Sequence, residues 1–107
     1  MSRHIKRAFD KGLGWQGDFF RIKAYKRVSS GTDDRARLAV VASKKFSNLA
    51  TSRNFCRRQL KDAFRKDMGD LSGWDIVILP KPKIIDCQFE KIQKEVGECS
   101  NFLRLYQ

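Results

Sequence analysis

The sequence predicts an α+β fold: a small mixed sheet with helices packed on one face and the other face left open. Three observations predict it. Residues 19–27 alternate, with Phe20, Ile22 and Ala24 on one side and Phe19, Arg21, Lys23, Tyr25 and Arg27 on the other. That two-residue period belongs to a strand with one core face and one cationic, partly aromatic face. Two later segments carry apolar residues at helical spacing, Cys56, Leu60, Ala63 and Phe64 in one, Phe89, Ile92, Val96, Cys99 and Leu103 in the other. A helix with a single apolar stripe has one face to bury, and two of them are satisfied by the same side of one sheet.

In chain order, residues 3–11 predict a short helix with Ile5 and Phe9 on a shared face. Gly12, Gly14 and Gly17 predict a flexible entry to the first strand. A polar turn over 29–34 follows it. Residues 37–43, RLAVVAS, are apolar almost throughout, which predicts a central second strand. A basic helix then starts near Ser47 or Ser52 and runs to about Met68, where Gly69 and Gly73 end it and turn the chain. Trp74 to Leu79 is the third strand, closed by Pro80 and Pro82. The last helix starts near Asp86 as N-cap, and Gly97 weakens its interior by about 1 kcal/mol. With 107 residues and neither repeats nor linkers, residues 1–107 read as one domain.

Charge narrows the function. Residues 1–66 carry 18 Lys and Arg against 5 Asp and Glu, whereas residues 67–107 carry 5 against 7, within a net charge of +11. A folded domain with one strongly cationic part faces nucleic acid or an anionic surface. No apolar run is long enough to span a bilayer and no signal peptide is present, so the expected location is the cytoplasm and no membrane partner is expected. The three cysteines, Cys56, Cys87 and Cys99, form no Cys-x-x-Cys pair and stand beside a single histidine, His4. That argues for reduced thiols and against a disulfide framework or a protein-bound metal. A self-sufficient ribonuclease needs paired histidines or converging carboxylates. His4 is alone, and Asp10, Asp18, Asp33, Asp34 and Asp62 follow no motif, so no catalytic residue is assigned.

The most informative stretch is 43–66, SKKFSNLATSRNFCRRQLKDAFRK, with eight cations against Asp62 alone. At 100° per residue, Arg53, Asn54, Arg57, Arg58, Lys61 and Arg65 fall in an arc of about 140° beside the apolar stripe. The row Arg53, Arg57, Lys61, Arg65 places charges about 6 Å apart along the axis, close to the spacing of successive phosphates. Arginine adds a planar fork suited to two phosphate oxygens. A basic helix face is often only solvated surface. However, like charges at i, i+4 destabilise the helix, and a sequence that retains several such pairs has a polyanionic partner to relieve them.

The order of these residues is also specific. Ser43-Lys44-Lys45, Ala50, Arg53-Asn54, Arg57-Arg58-x-Leu60 and Ala63-Phe64-Arg65 resemble the signature of the bacterial ribonuclease P protein subunit. Trp74-Asp75-Ile76-Val77-Ile78 resembles the strand that follows the motif helix in that family, and Ile5-x-x-x-Phe9-x-x-Gly12 its front motif. Two positions depart: Phe55 stands where the motif has a third arginine, and Ile5 where it has an aromatic. The resemblance implies a fold like the second domain of ribosomal protein S5, with a left-handed βαβ crossover around the basic helix. It implies a protein that binds a catalytic RNA and the 5′ leader of precursor tRNA, in a complex of one protein and one RNA. The RNA, with Mg2+, would remove the leader endonucleolytically, and the protein alone would be inactive. Lys44, Lys45, Arg53, Asn54, Arg57, Arg58, Lys61 and Arg65 are the expected contacts to the catalytic RNA. Phe9, Phe19, Phe20, Arg21, Lys23 and Tyr25, on the first strand and its flanking helix, are the candidates for the single-stranded leader. The alternative readings are a ribosomal-type or assembly RNA-binding protein, a self-sufficient nuclease and, more distantly, a DNA-binding protein.

Overall fold

The computed structural model describes residues 12–27, 35–42, 49–69 and 71–106. In chain order these form β1 (Leu13–Gln16), β2 (Phe20–Lys26), β3 (Arg37–Val40), α1 (Ala50–Phe64), β4 (Trp74–Pro80) and α2 (Phe89–Arg104). Short 3-10 turns at Arg65–Asp67 and Pro82–Asp86 follow α1 and precede α2. The sheet order is β1-β2-β4-β3. Strand β2 pairs antiparallel with β1 and with β4, setting Ile22 opposite Trp15 and Ile78. Strands β3 and β4 are parallel, with Leu38 opposite Ile76. A parallel pair needs a long crossover, and α1 lies within it.

The expected single core is present. Phe20, Ile22 and Ala24 of β2, with Trp74, Ile76 and Ile78 of β4, point to one side of the sheet. Cys56, Leu60, Ala63 and Phe64 of α1 and Ile92, Val96, Cys99 and Leu103 of α2 cover them. Phe20 packs between Trp15 and Phe64, at ring separations of 5.6 and 6.1 Å. Both helices therefore serve the same sheet face, as their single stripes require.

Four expectations are corrected. The glycine-bearing entry is a strand, β1: Leu13 and Trp15 turn inward, and Gly14, opposite Lys23, leaves room for the lysine side chain to cross it. The apolar second strand is an edge strand, and β4 is central. Its composition reflects Leu38 and Val40 packing on the core rather than a central place in the sheet. The basic helix ends at Phe64 and tightens into the turn through Asp67. Asp86 lies in the turn that Pro82 begins, and Gln88 occupies the N-cap position of α2.

The second face of the sheet is not uniformly open. Arg21 is exposed, and Lys23 and Tyr25 are half-buried. Their β4 partners Val77 and Asp75 are buried, at 2% and 3% exposure. Asp75 pairs with Arg27 at 2.5 Å. The face is thus a cationic row along β2 beside a covered central strand. The predicted helix over residues 3–11 lies outside the described residues. Among the described residues, no helix is long and apolar enough to cross a membrane.

One long-range clamp fixes where β2 starts. Glu95 of α2 accepts the backbone amides of Asp18, Phe19 and Phe20 at 2.6, 2.9 and 3.1 Å. Lys81 donates from its Nζ to the Gly17 carbonyl at 2.7 Å and from its backbone amide to the Phe19 carbonyl at 2.8 Å. The turn between β1 and β2 is therefore held by the far end of the chain.

Candidate nucleic-acid interface

Helix α1 carries its cations on a firm base. The buried stripe of Cys56, Leu60, Ala63 and Phe64 fixes its rotation against the sheet. At about 100° per residue, Arg53 falls on the side of that stripe, one turn before Cys56, and Arg57 borders it, whereas Lys61, Asn54, Arg65 and Arg58 project outward. The exposures follow this order: Arg53 and Arg57 are half-buried, and the other four are exposed.

The flanking position of Arg57 makes it a strut. Its guanidinium donates to the Asn54 Oδ1 at 3.0 Å and to the Ala42 carbonyl, just past the end of β3, at 3.4 Å. Asn54 is thereby oriented by the arginine one turn on, which leaves its amide NH2 outward as a donor. Arg65 pairs with Asp62 at 2.8 Å on the surface, where both are largely exposed. An exposed i, i+3 pair of this kind is worth only a few tenths of a kcal/mol and yields readily to a phosphate. Arg58 and Lys61 make no ion pair among the described residues. The exposed ridge is thus Asn54, Arg58, Lys61 and Arg65, buttressed by Arg57.

The β2 candidates divide by face. Arg21, Lys23 and Tyr25 stand on the second face, with Arg21 the most accessible. Phe19 is half-buried against the edge of the core. Phe20 is 0% exposed and points the other way, so its place among the leader contacts is corrected: its ring is core. Lys44, Lys45 and Phe9 lie outside the described residues, as does His4.

Sequence reasoning missed the supports of this surface. Glu95 stands at the border of the α2 stripe, where an acid reads as ordinary surface, and its partners are more than seventy residues away. Arg27 holds Asp75 and also donates to the Arg35 carbonyl, tying β2, β3 and β4 together at one end of the sheet. At that same end Gly73 adopts φ of +87°, a backbone state that favours glycine, and its carbonyl accepts the Arg27 amide at 2.8 Å.

The comparisons with known proteins bear on the family and the fold. The family model described as Ribonuclease P matches residues 1–104. The ribonuclease P protein component of Thermotoga petrophila is 32% identical over 93 residues, covering 86% of this chain and 74% of that protein. The counterpart from Ectopseudomonas mendocina is 34% identical over 65 residues, covering 61% of this chain and 48% of the relative, so the match spans about half of that relative's length. Among solved structures, the RNase P protein from Thermotoga maritima superposes with a TM-score of 0.76 at 28% identity, covering 95% of this chain and 90% of that one. The RNase P protein of Staphylococcus aureus shares the fold, with a TM-score of 0.79 at 19% identity over 100% of this chain and 94% of that one. With a family match over nearly its whole length and the same sheet and helices, the chain belongs to the ribonuclease P protein family.

Proposed function

We propose that this protein is the RNA-binding subunit of a ribonuclease P that removes the 5′ leader of precursor tRNA. The exposed ridge of α1 docks the catalytic RNA, and the row along β2 receives the single-stranded leader. The observation that carries this reading is the ridge itself. Arg58 and Lys61 are exposed with no ion-pair partner among the described residues, on a helix whose rotation a buried stripe fixes. Cations at phosphate spacing on a helix of fixed rotation suit an RNA backbone, because no ion pair among the described residues must be broken before Arg58 and Lys61 dock. Lys44 and Lys45 belong to the same proposed surface by their place in the sequence.

The leader needs a different surface. Unstacked nucleotides bind through cations for phosphates and rings for bases. Arg21, Lys23 and Tyr25 alternate along β2 on one face, with Phe19 continuing the row and Phe9 a further candidate from the sequence. In this reading Mg2+ bound by the RNA supplies the hydrolytic chemistry. The protein binds and orients, in a complex of one protein and one RNA working in the cytoplasm.

The test is the double variant Arg58→Ala with Lys61→Ala. Assembly with a bacterial ribonuclease P RNA at moderate salt is expected to weaken, with the slope of log affinity against log salt falling by about 1.5. Unchanged assembly would remove the docking assignment. A different RNA co-purifying with the protein, such as ribosomal RNA, would favour the ribosomal-type alternative.

A further inference from the structure

We propose that Phe55 is a stacking platform for one unpaired nucleobase of the RNA that docks on α1. This deepens the docking reading above and rests on it. Phe55 is 52% exposed, while Cys56 beside it is buried. At about 100° per residue the ring stands about 60° from Arg58 and about 100° from Asn54, on the outer flank of the ridge. The core therefore takes nothing from half of this ring.

Its surroundings indicate what does. On a helix surface the neighbours of a residue lie three and four positions away. For Phe55 these are Thr51, Ser52, Arg58 and Gln59, all polar or cationic. A protein partner would seek a contiguous apolar patch, and the helix surface around Phe55 offers none. A nucleotide suits the set better: the ring takes the flat face of the base, Arg58 one turn on takes a phosphate, and Thr51, Ser52 and Gln59 offer donors and acceptors to the base edge or ribose. Aromatic stacking tolerates any base, so the platform selects an unpaired nucleotide rather than a sequence. The helix would then read two features of the RNA at once, a phosphate row along the ridge and a single splayed base at its flank.

The experiment measures binding of the full chain to a bacterial ribonuclease P RNA across a salt series, for the wild type and for Phe55→Ala, Phe55→Leu and Phe55→Tyr. An exposed helix position tolerates all three, and thermal melting verifies the fold of each. Phe55→Ala is expected to weaken binding by about fivefold or more, with the salt slope unchanged because no charge is lost. Phe55→Leu, which keeps apolar area but no ring, weakens it as well, and Phe55→Tyr stays within about twofold. Wild-type affinity in Phe55→Ala or in Phe55→Leu overturns the platform, and so does a changed salt slope. Failure of the wild type to bind this RNA overturns the docking reading itself, a result distinct from unaltered binding by the Phe55 variants.

Discussion

Glu95 Oε2 accepts the backbone amide of Phe19 at 2.9 Å, joining the last helix to the first residue of the alternating segment. The amides of Asp18 and Phe20 share the same carboxylate. Glu95→Ala strands three donors in a half-buried turn and is expected to cost about 3 kcal/mol. Thermal or urea unfolding checks this, and an unchanged midpoint would show that the clamp contributes nothing. Gly17→Ala should act similarly, because an added Cβ would sit 2.4 Å from the Glu95 carboxyl carbon and drive it off the amides.

The two faces of β2 give opposite signatures. Phe20→Ala removes a fully buried ring and should cost about 3–5 kcal/mol of stability. Arg21→Ala, one residue on and exposed, should shift stability by no more than about 0.5 kcal/mol while weakening affinity for a single-stranded leader. Unfolding curves and leader-binding titrations, run together, separate the two effects.

Gly97 sits inside α2, and a Cβ built there meets nothing within 4 Å. Gly97→Ala should therefore stabilise the protein by about 0.8–1 kcal/mol. For a domain of this size that raises the melting temperature by about 4–8 °C. A fall instead would mean that the helix needs the glycine for a reason other than space.

The thiols predict an alkaline weakness. Burial pushes Cys99 up to about 12, aided by the nearby Glu95 and Asp67 charges, and pushes Cys56 up to about 11 against the opposing pull of Arg57. The folded state thus holds these protons more tightly than the unfolded chain, whose thiols ionise near 9. Their contribution is complete below about pH 9 and is lost as pH climbs toward 11–12. Denaturant midpoints should decline between pH 9 and 11, less steeply in Cys99→Ala. At pH 8 an alkylating reagent should modify half-exposed Cys87 in the native protein and reach Cys56 and Cys99 only after unfolding.

Much of this architecture is legible in the sequence, and what is not has a common cause. The stripe Cys56, Leu60, Ala63, Phe64 and the alternation Phe20, Ile22, Ala24 are local periodicities, and both point where their spacing says. The same angles that define the stripe separate half-buried Arg53 and Arg57 from exposed Arg58 and Lys61. Features set by partners distant in sequence are invisible to such periods. β1 forms by pairing with β2, where Lys23 lies across Gly14, a residue that alone reads as a breaker. β3 looks central because Leu38 and Val40 are apolar, yet only pairing with β4 shows that it ends the sheet. Alternation alone places Phe20 inward, and its 0% exposure agrees. Glu95 gave no local signal at all, since its ligands are amides of a turn in the other half of the chain.

The seven-residue ladder between β2 and β4 joins Phe20 to Pro80 and Lys26 to Trp74. During synthesis at about 5–20 residues per second, β2 waits several seconds for its central partner to leave the ribosome. Over that interval the arginine-rich helix has already emerged, without the strand that later anchors its crossover. The nascent chain therefore presents its positive charge before the sheet that anchors that helix can close.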